Sequence, residues 1–299
     1  APLRQAIDEP SPLRQRAAVN EHLPIFTALM ILGTIAVSWR AFYDESLVER
    51  FLFEPRAILA HQEYHRLITS ALLHLDANHL IGNMLTLFLF GRGVEAMFGP
   101  VTFLVIYLGS ILGGSALSLW LHRHHDYRAL GASGGVCGIL FAWILLFPGG
   151  AVYAMFLPIG IPGWLYALAY LTYSFFAMKH GWTNVGHDAH IGGALIGLLI
   201  AAALHPGAVV ESPWLFLTIL GLSSLMFLYL WQNPLMLPLK HFLPERRNTP
   251  RPAPPRKSNS IPTEAEVNAV LEKVSRSGVQ SLSAKERQIL EAAAKKQRR

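Results

Sequence analysis

Two short sequences in this chain put a nucleophile and a base in matching surroundings: Gly131-Ala132-Ser133-Gly134 and Ala189-His190-Ile191-Gly192-Gly193. A serine hydroxyl is a weak nucleophile at neutral pH and needs a base within hydrogen-bond reach. Histidine, whose unperturbed pKa is about 6.5, is the usual partner. Small residues follow each at a spacing of four, Gly134 and Gly138 after Ser133, Gly193 and Gly197 after His190. That spacing lets membrane helices approach closely, and it serves helix packing with or without chemistry. A third group, His74, His79 and Asn83, is spaced by five and four, so the last two share a helix face. Histidine and asparagine side chains can donate to the oxyanion that develops in acyl transfer. A metal site built from His74, His79, His187 and His190 is the competing chemistry, although no cysteine or carboxylate cluster completes it.

Such residues need elements to hold them, and the solvent of those elements is legible in the composition. Of the 299 residues, 52% are hydrophobic and 15% charged, with the apolar ones gathered in long runs, as in a chain embedded in lipid. No Asp, Glu, Lys or Arg occurs from Ala129 to Met178, a stretch broken by Pro148-Gly149-Gly150, Pro158 and Pro162. One crossing takes about 20 residues, so this stretch reads as two spans. Further spans are expected at Pro24 to Trp39, Pro100 to Leu121, Ala189 to Leu204 and Pro213 to Trp231. A more polar one is expected at His79 to Phe98, whose Arg92 and Glu95 would snorkel to the interface. The fold class is thus all-α, a polytopic membrane helix bundle with six core helices and a seventh apolar segment.

The expected organisation is an extramembrane segment at 1–23, a catalytic core at 24–204, the additional apolar segment at 205–239, a basic Pro-rich linker at 240–262 and a small two-helix tail at 263–299. Arg40 to Asn78 mixes aromatic, acidic and arginine residues, as expected of a loop folded back onto the bilayer interface. In the tail, Thr263-x-x-Glu266 and Ser283-x-x-Glu286 fit capping boxes, and Val267, Val270, Leu271 and Val274 recur at helical spacing. The tail is a candidate surface for a protein or anionic-lipid partner. The net charge of +6 lies partly in the linker without interleaved aromatics, which argues against nucleic acid.

His74-x4-His79-x3-Asn83, then Gly131-Ala132-Ser133-Gly134, then Ala189-His190-x2-Gly193-x3-Gly197 resembles the rhomboid family of intramembrane serine proteases, bacterial type, over roughly residues 24 to 204. The resemblance implies a Ser-His dyad without a carboxylate, opened to water from the extracytoplasmic side of a bacterial cytoplasmic membrane, with no cofactor and no metal. It makes Ser133 the nucleophile and His190 the general base, later the acid for the leaving amine. His79 and Asn83, with the Ser133 backbone amide, would form the oxyanion hole. His74 and Arg66 would be structural, and Gly131 would supply the turn before Ser133. Substrates would be transmembrane helices taken from the bilayer. A catalytically silent relative that only binds client helices is the alternative.

Two positions depart from the family pattern. Where the family often has a Trp-Arg pair, this chain has His65-Arg66. Where many relatives carry a tyrosine stacked on the catalytic histidine, it has Cys137, expected here as a small packing residue. Asp188 is expected to be a solvated residue at a helix start, His187 an interfacial one, and His122, His124 and His125 part of a wet loop. With Ser133 near the outer face, the N-terminus would lie inside and seven crossings would put the tail outside. The cluster of Lys and Arg after the last span opposes that placement by the positive-inside rule.

Overall fold

The computed structural model describes residues 23–153, 159–180, 185–232 and 264–277, together with 282, 283, 285–287, 289, 290 and 293. Seven principal helices of the bundle follow one another among the described residues. They are α1 (Ile25–Ala41), α5 (Ala77–Phe98), α6 (Pro100–His122), α7 (Ser133–Leu146), α8 (Gly163–His180), α9 (His187–Leu204) and α11 (Pro213–Gln232). Four of them, α5, α6, α9 and α11, are long and apolar enough to cross on length and composition alone. Helix α7 is shorter and nearly wholly buried, enclosed by its neighbouring helices.

The long first loop is ordered by short helices, α2 (Glu45–Phe51), α3 (Pro55–Ala60) and α4 (Arg66–Thr69). Asp44 caps α2 by accepting from Leu47 N–H at 3.3 Å. Arg66 is the loop's anchor: its guanidinium donates to the Glu49 and Leu52 carbonyls at 2.9 and 2.8 Å and pairs with Glu63 at 2.5 Å. Ser115 Oγ on α6 donates to the Leu67 carbonyl, which fastens the loop to the core. Tyr43, Leu59 and Tyr64 remain exposed, the side expected to face the interface.

The connection between α7 and α8 contains a small antiparallel hairpin, β1 (Ala151–Tyr153) with β2 (Gly160–Pro162), where the sequence suggested only a Pro/Gly-rich link. A short helix α10 (Pro206–Glu211) leads from α9 to α11.

Glu95 corrects the expectation of snorkelling. It is wholly buried, accepting from Phe26 N–H at 2.9 Å, Thr27 N–H at 2.7 Å and Thr27 Oγ1 at 2.6 Å. Pro24 gives the start of α1 no side-chain cap. A carboxylate from α5 therefore satisfies those orphan amides and the positive end of the helix dipole. Arg92, by contrast, is exposed, its guanidinium 4.9 Å from the Phe88 ring.

The core is set by glycine. A Cβ on Gly193 would lie 2.9 Å from Gly134 Cα, and one on Gly197 would lie 2.6 Å from the Gly138 carbonyl carbon. Helices α7 and α9 are thus in backbone contact at the two spacings the sequence singled out. Helix α6 closes on the same pair, for a Cβ on Gly114 would meet the Ala189 carbonyl oxygen at 2.5 Å.

The C-terminal residues form a separate compact unit, 245–299. It contains α12 (Glu264–Ser277), with Val270 and Leu282 buried. The box at Ser283 and Glu286 is complete, Ser283 N–H donating to Glu286 Oε2 at 2.7 Å and Glu286 N–H to Ser283 Oγ at 3.3 Å. The segment 1–22, the linker 240–262 and Thr263 of the first box lie outside the described residues.

Candidate active site

Ser133 opens α7 directly after Ala132, in the first turn, where backbone amides have no intrahelical acceptor. Gly131 makes that start possible. Its φ of 136° is one that side-chain-bearing residues rarely adopt, and a Cβ there would lie 2.7 Å from His79 Cε1. Its own N–H donates to the Ser70 carbonyl at 3.0 Å.

His79 stands in the first turn of α5, which Asp76 caps by accepting from His79 N–H at 2.8 Å. Ser133, His79 and Gly131 line one cavity of about 370 Å³, bounded also by Phe53, Tyr127 and Val185. Asn83 lies one turn deeper and is buried; its amide donates to the His79 carbonyl at 3.0 Å. Asn83 and His190 are both outside that cavity's lining.

His74 is buried between the first loop and the serine turn. Ala132 N–H points to its Nε2 at 3.4 Å, so Nδ1 carries the ring proton and donates to Ser38 Oγ at 2.9 Å. The Ser38 hydroxyl proton then goes to the Leu72 carbonyl at 2.8 Å. Burial pushes the pKa of His74 down to about 3, consistent with a neutral ring in this chain of bonds.

His190 is buried in the first turn of α9. Its Nδ1 lies 2.9 Å from the hydroxyl of Tyr170 on α8, and the two rings stack with centroids 6.2 Å apart at 23°. Its Nε2 is buried and has no hydrogen-bond partner among the described residues. Cys137, one turn below Ser133, lies 3.0 Å from the same Tyr170 hydroxyl, so it is a polar contact as well as a packing residue.

Three sequence expectations change here. Asp188 is buried, accepting from Tyr127 Oη at 3.3 Å and pairing with His122 Nε2 at 3.2 Å. His122 is buried too, stacked flat on Tyr127 at 3.7 Å. His187 is buried edge-on to Tyr173 and His190. Asp188 and His122 depart from a solvated reading because Tyr127 of the loop 123–132 is buried against both, and His187 from an interfacial one because it packs on α8. Ala129 pairs in both directions with Phe53 of the first loop, and Arg128 pairs with Glu49. Burial, and then the charge of Asp188, push the Tyr127 phenol well above its ordinary pKa, which keeps it a donor. His124 is exposed, as expected of a wet loop.

Sequence reasoning missed Tyr170, Glu95 and Ser38. Tyr170, in the middle of a largely apolar helix, was a signal that a polar hydroxyl had a buried partner to find. The histidines pair edge to face, His74 with His79 and His187 with His190. Among the described residues, no three His, Cys, Asp or Glu side chains gather as a metal site would require.

Comparison with known proteins identifies the domain that holds these residues. The family described as Rhomboid domain matches residues 61–207, which include His74, His79, Asn83, Ser133 and His190. A family of unknown function (DUF6576) matches residues 258–296. The chain is 30% identical over 192 residues to the RHOMBOID-like protein 12, mitochondrial, of Arabidopsis thaliana, covering 58% of this chain and 56% of that protein. It is 33% identical to the rhomboid protease GluP of Bacillus subtilis over 60% of this chain and 34% of that protein. It is 28% identical to the rhomboid protease AarA of Providencia stuartii over 62% and 71%. The matches span about half the length of the first of these relatives and a third of the second. Through the matched domain, this multi-pass membrane protein belongs to the rhomboid family.

Proposed function

We propose that the protein is an intramembrane serine endopeptidase in which Ser133 attacks a peptide carbonyl and His190 is the general base. The observation that carries this reading is the state of His190: Nδ1 is engaged by Tyr170 while Nε2 is buried and without a partner among the described residues. That nitrogen takes the Ser133 hydroxyl proton as Oγ bonds to the carbonyl carbon, and returns it to the leaving amine as the acyl-enzyme forms. A water molecule activated in the same way then hydrolyses the ester.

The negative charge on the tetrahedral oxygen is met by the Ser133 amide at the positive end of α7, and by donors from His79 and Asn83. Asn83 spends one amide hydrogen on the His79 carbonyl and retains the other for this task. The cavity beside Ser133 is the route for water and an unwound substrate segment. Substrates are transmembrane helices of other proteins, whose scissile carbonyls are released by local unwinding, so Gly, Pro or Ser near the cut favours cleavage. The orientation proposed is an active site opening to the extracytoplasmic side.

The test is cleavage of a reporter transmembrane helix by the full chain in liposomes. Ser133→Ala and His190→Ala are each expected to abolish cleavage, by at least about a thousand-fold, with a chelator having no effect. A folded parent that cleaves no reporter would instead support a helix-binding relative, and chelator-sensitive cleavage would point to a metal.

A further inference from the structure

The base of the proposed dyad is held by a helix that its sequence motif does not mention. Tyr170 Oη on α8 lies 2.9 Å from His190 Nδ1 on α9 and 3.0 Å from Cys137 Sγ on α7, so one phenol joins three helices at the site. Building on the protease reading, we propose that Tyr170 is the positioning residue of His190, accepting the Nδ1–H and directing its own hydroxyl proton to Cys137 Sγ. The direction matters because a neutral imidazole has one N–H and one acceptor nitrogen. With the proton on Nδ1, Nε2 accepts and can serve as base. With the phenol donating to Nδ1, Nε2 would carry the proton and the serine would have no base.

Cys137 offers the productive direction an acceptor. A sulfur acceptor for the phenol's single proton leaves the oxygen lone pairs for Nδ1–H. A buried carboxylate does this orienting work in catalytic triads. A phenol does it without placing an unpaired charge in a lipid-embedded core, where such a charge is costly. Asp188, two residues from His190, is already committed to Tyr127 and His122. The stack of the two rings at 23° fixes the imidazole plane as well as its tautomer.

The experiment compares the full-length parent in liposomes with Tyr170→Phe and with the volume-conserving exchange Tyr170→Cys/Cys137→Tyr. The readouts are kcat and KM for a reporter helix, the rate of Ser133 modification by a small fluorophosphonate, and the thermal midpoint. Tyr170→Phe keeps the stacked ring and is expected to lower kcat by about ten- to a hundred-fold, part of what a general base contributes. KM should stay within about twofold, and labelling should slow in parallel with kcat. The exchange, which brings a hydroxyl to His190 from α7, is expected to recover most of both rates. Parental kcat and labelling in Tyr170→Phe would overturn the proposal, as would a rise in KM alone, which marks a substrate contact. A parent that is neither cleaving nor labelled would overturn the protease reading itself, and this inference with it.

Discussion

Polar side chains in the core of a membrane protein have no water to fall back on, so a buried one that has a partner makes the loss of that partner readable. His74 is the sharpest case, neutral between Ser38 and the Ala132 amide. Its folded pKa of about 3 is depressed by burial below the ordinary histidine value of 6.5. The unfolded chain therefore binds a proton that the folded chain refuses, so the stability this group contributes is present above about pH 6.5 and is lost as pH falls toward 3. By pH 5 the loss is expected to reach about 2 kcal/mol. The check is the thermal midpoint between pH 7 and pH 5, where the fall should be shallower in His74→Gln than in the parent. Because His74 touches the residue before Ser133, activity should decline over the same range.

At the scale of elements, the core depends on what is missing from α7 and α9. Gly193 against Gly134 and Gly197 against Gly138 bring two backbones together with no side chain between them. That contact puts the first turns carrying Ser133 and His190 at one depth. Gly197→Leu forces the helices apart seven residues from His190 and should cost about 1–3 kcal/mol or more. It should also lower cleavage by more than its loss of folded protein explains, measured as kcat per correctly folded molecule. Glu95 belongs to this scale too, since one carboxylate joins the end of α5 to the start of α1. The helices in lipid have no hydrophobic force to drive them together, so close packing and such buried bonds carry the association.

At the scale of the whole molecule, α8 packs between the proposed base and α11. It touches His190 through Tyr170, His187 through Tyr173, and α11 through Phe175 with Tyr229 and Trp164 with Trp214. Under the proposed function, a substrate helix taken from the bilayer would have to pass α8. A cysteine crosslink that locks α8 to α5 is therefore expected to reduce cleavage of a transmembrane reporter several-fold or more, while leaving fluorophosphonate labelling of Ser133 near the parental rate. Equal cleavage with and without the lock would show that substrate entry needs no movement of α8.

The sequence by itself determined the membrane bundle, its helix order and the small-residue seams, because a lipid solvent imposes long uncharged runs and close contacts impose glycine at fixed spacing. It also singled out Ser133, His190, His79, Asn83 and Gly131, because the chemistry proposed for them rests on residue type and local spacing. Only the tertiary structure decided what stands on the far side of each polar group. Tyr170 meets His190 across 20 residues, His122 meets Asp188 across 66, and Glu95 meets Thr27 across 68. No period or motif links such pairs. The inward fold of loop 123–132, which turned Asp188 and His122 from solvated residues into buried partners, rests on pairing with Phe53 and Glu49 of a distant loop. Local spacing reports which side chains share a helix face; which helix that face meets is settled by packing alone.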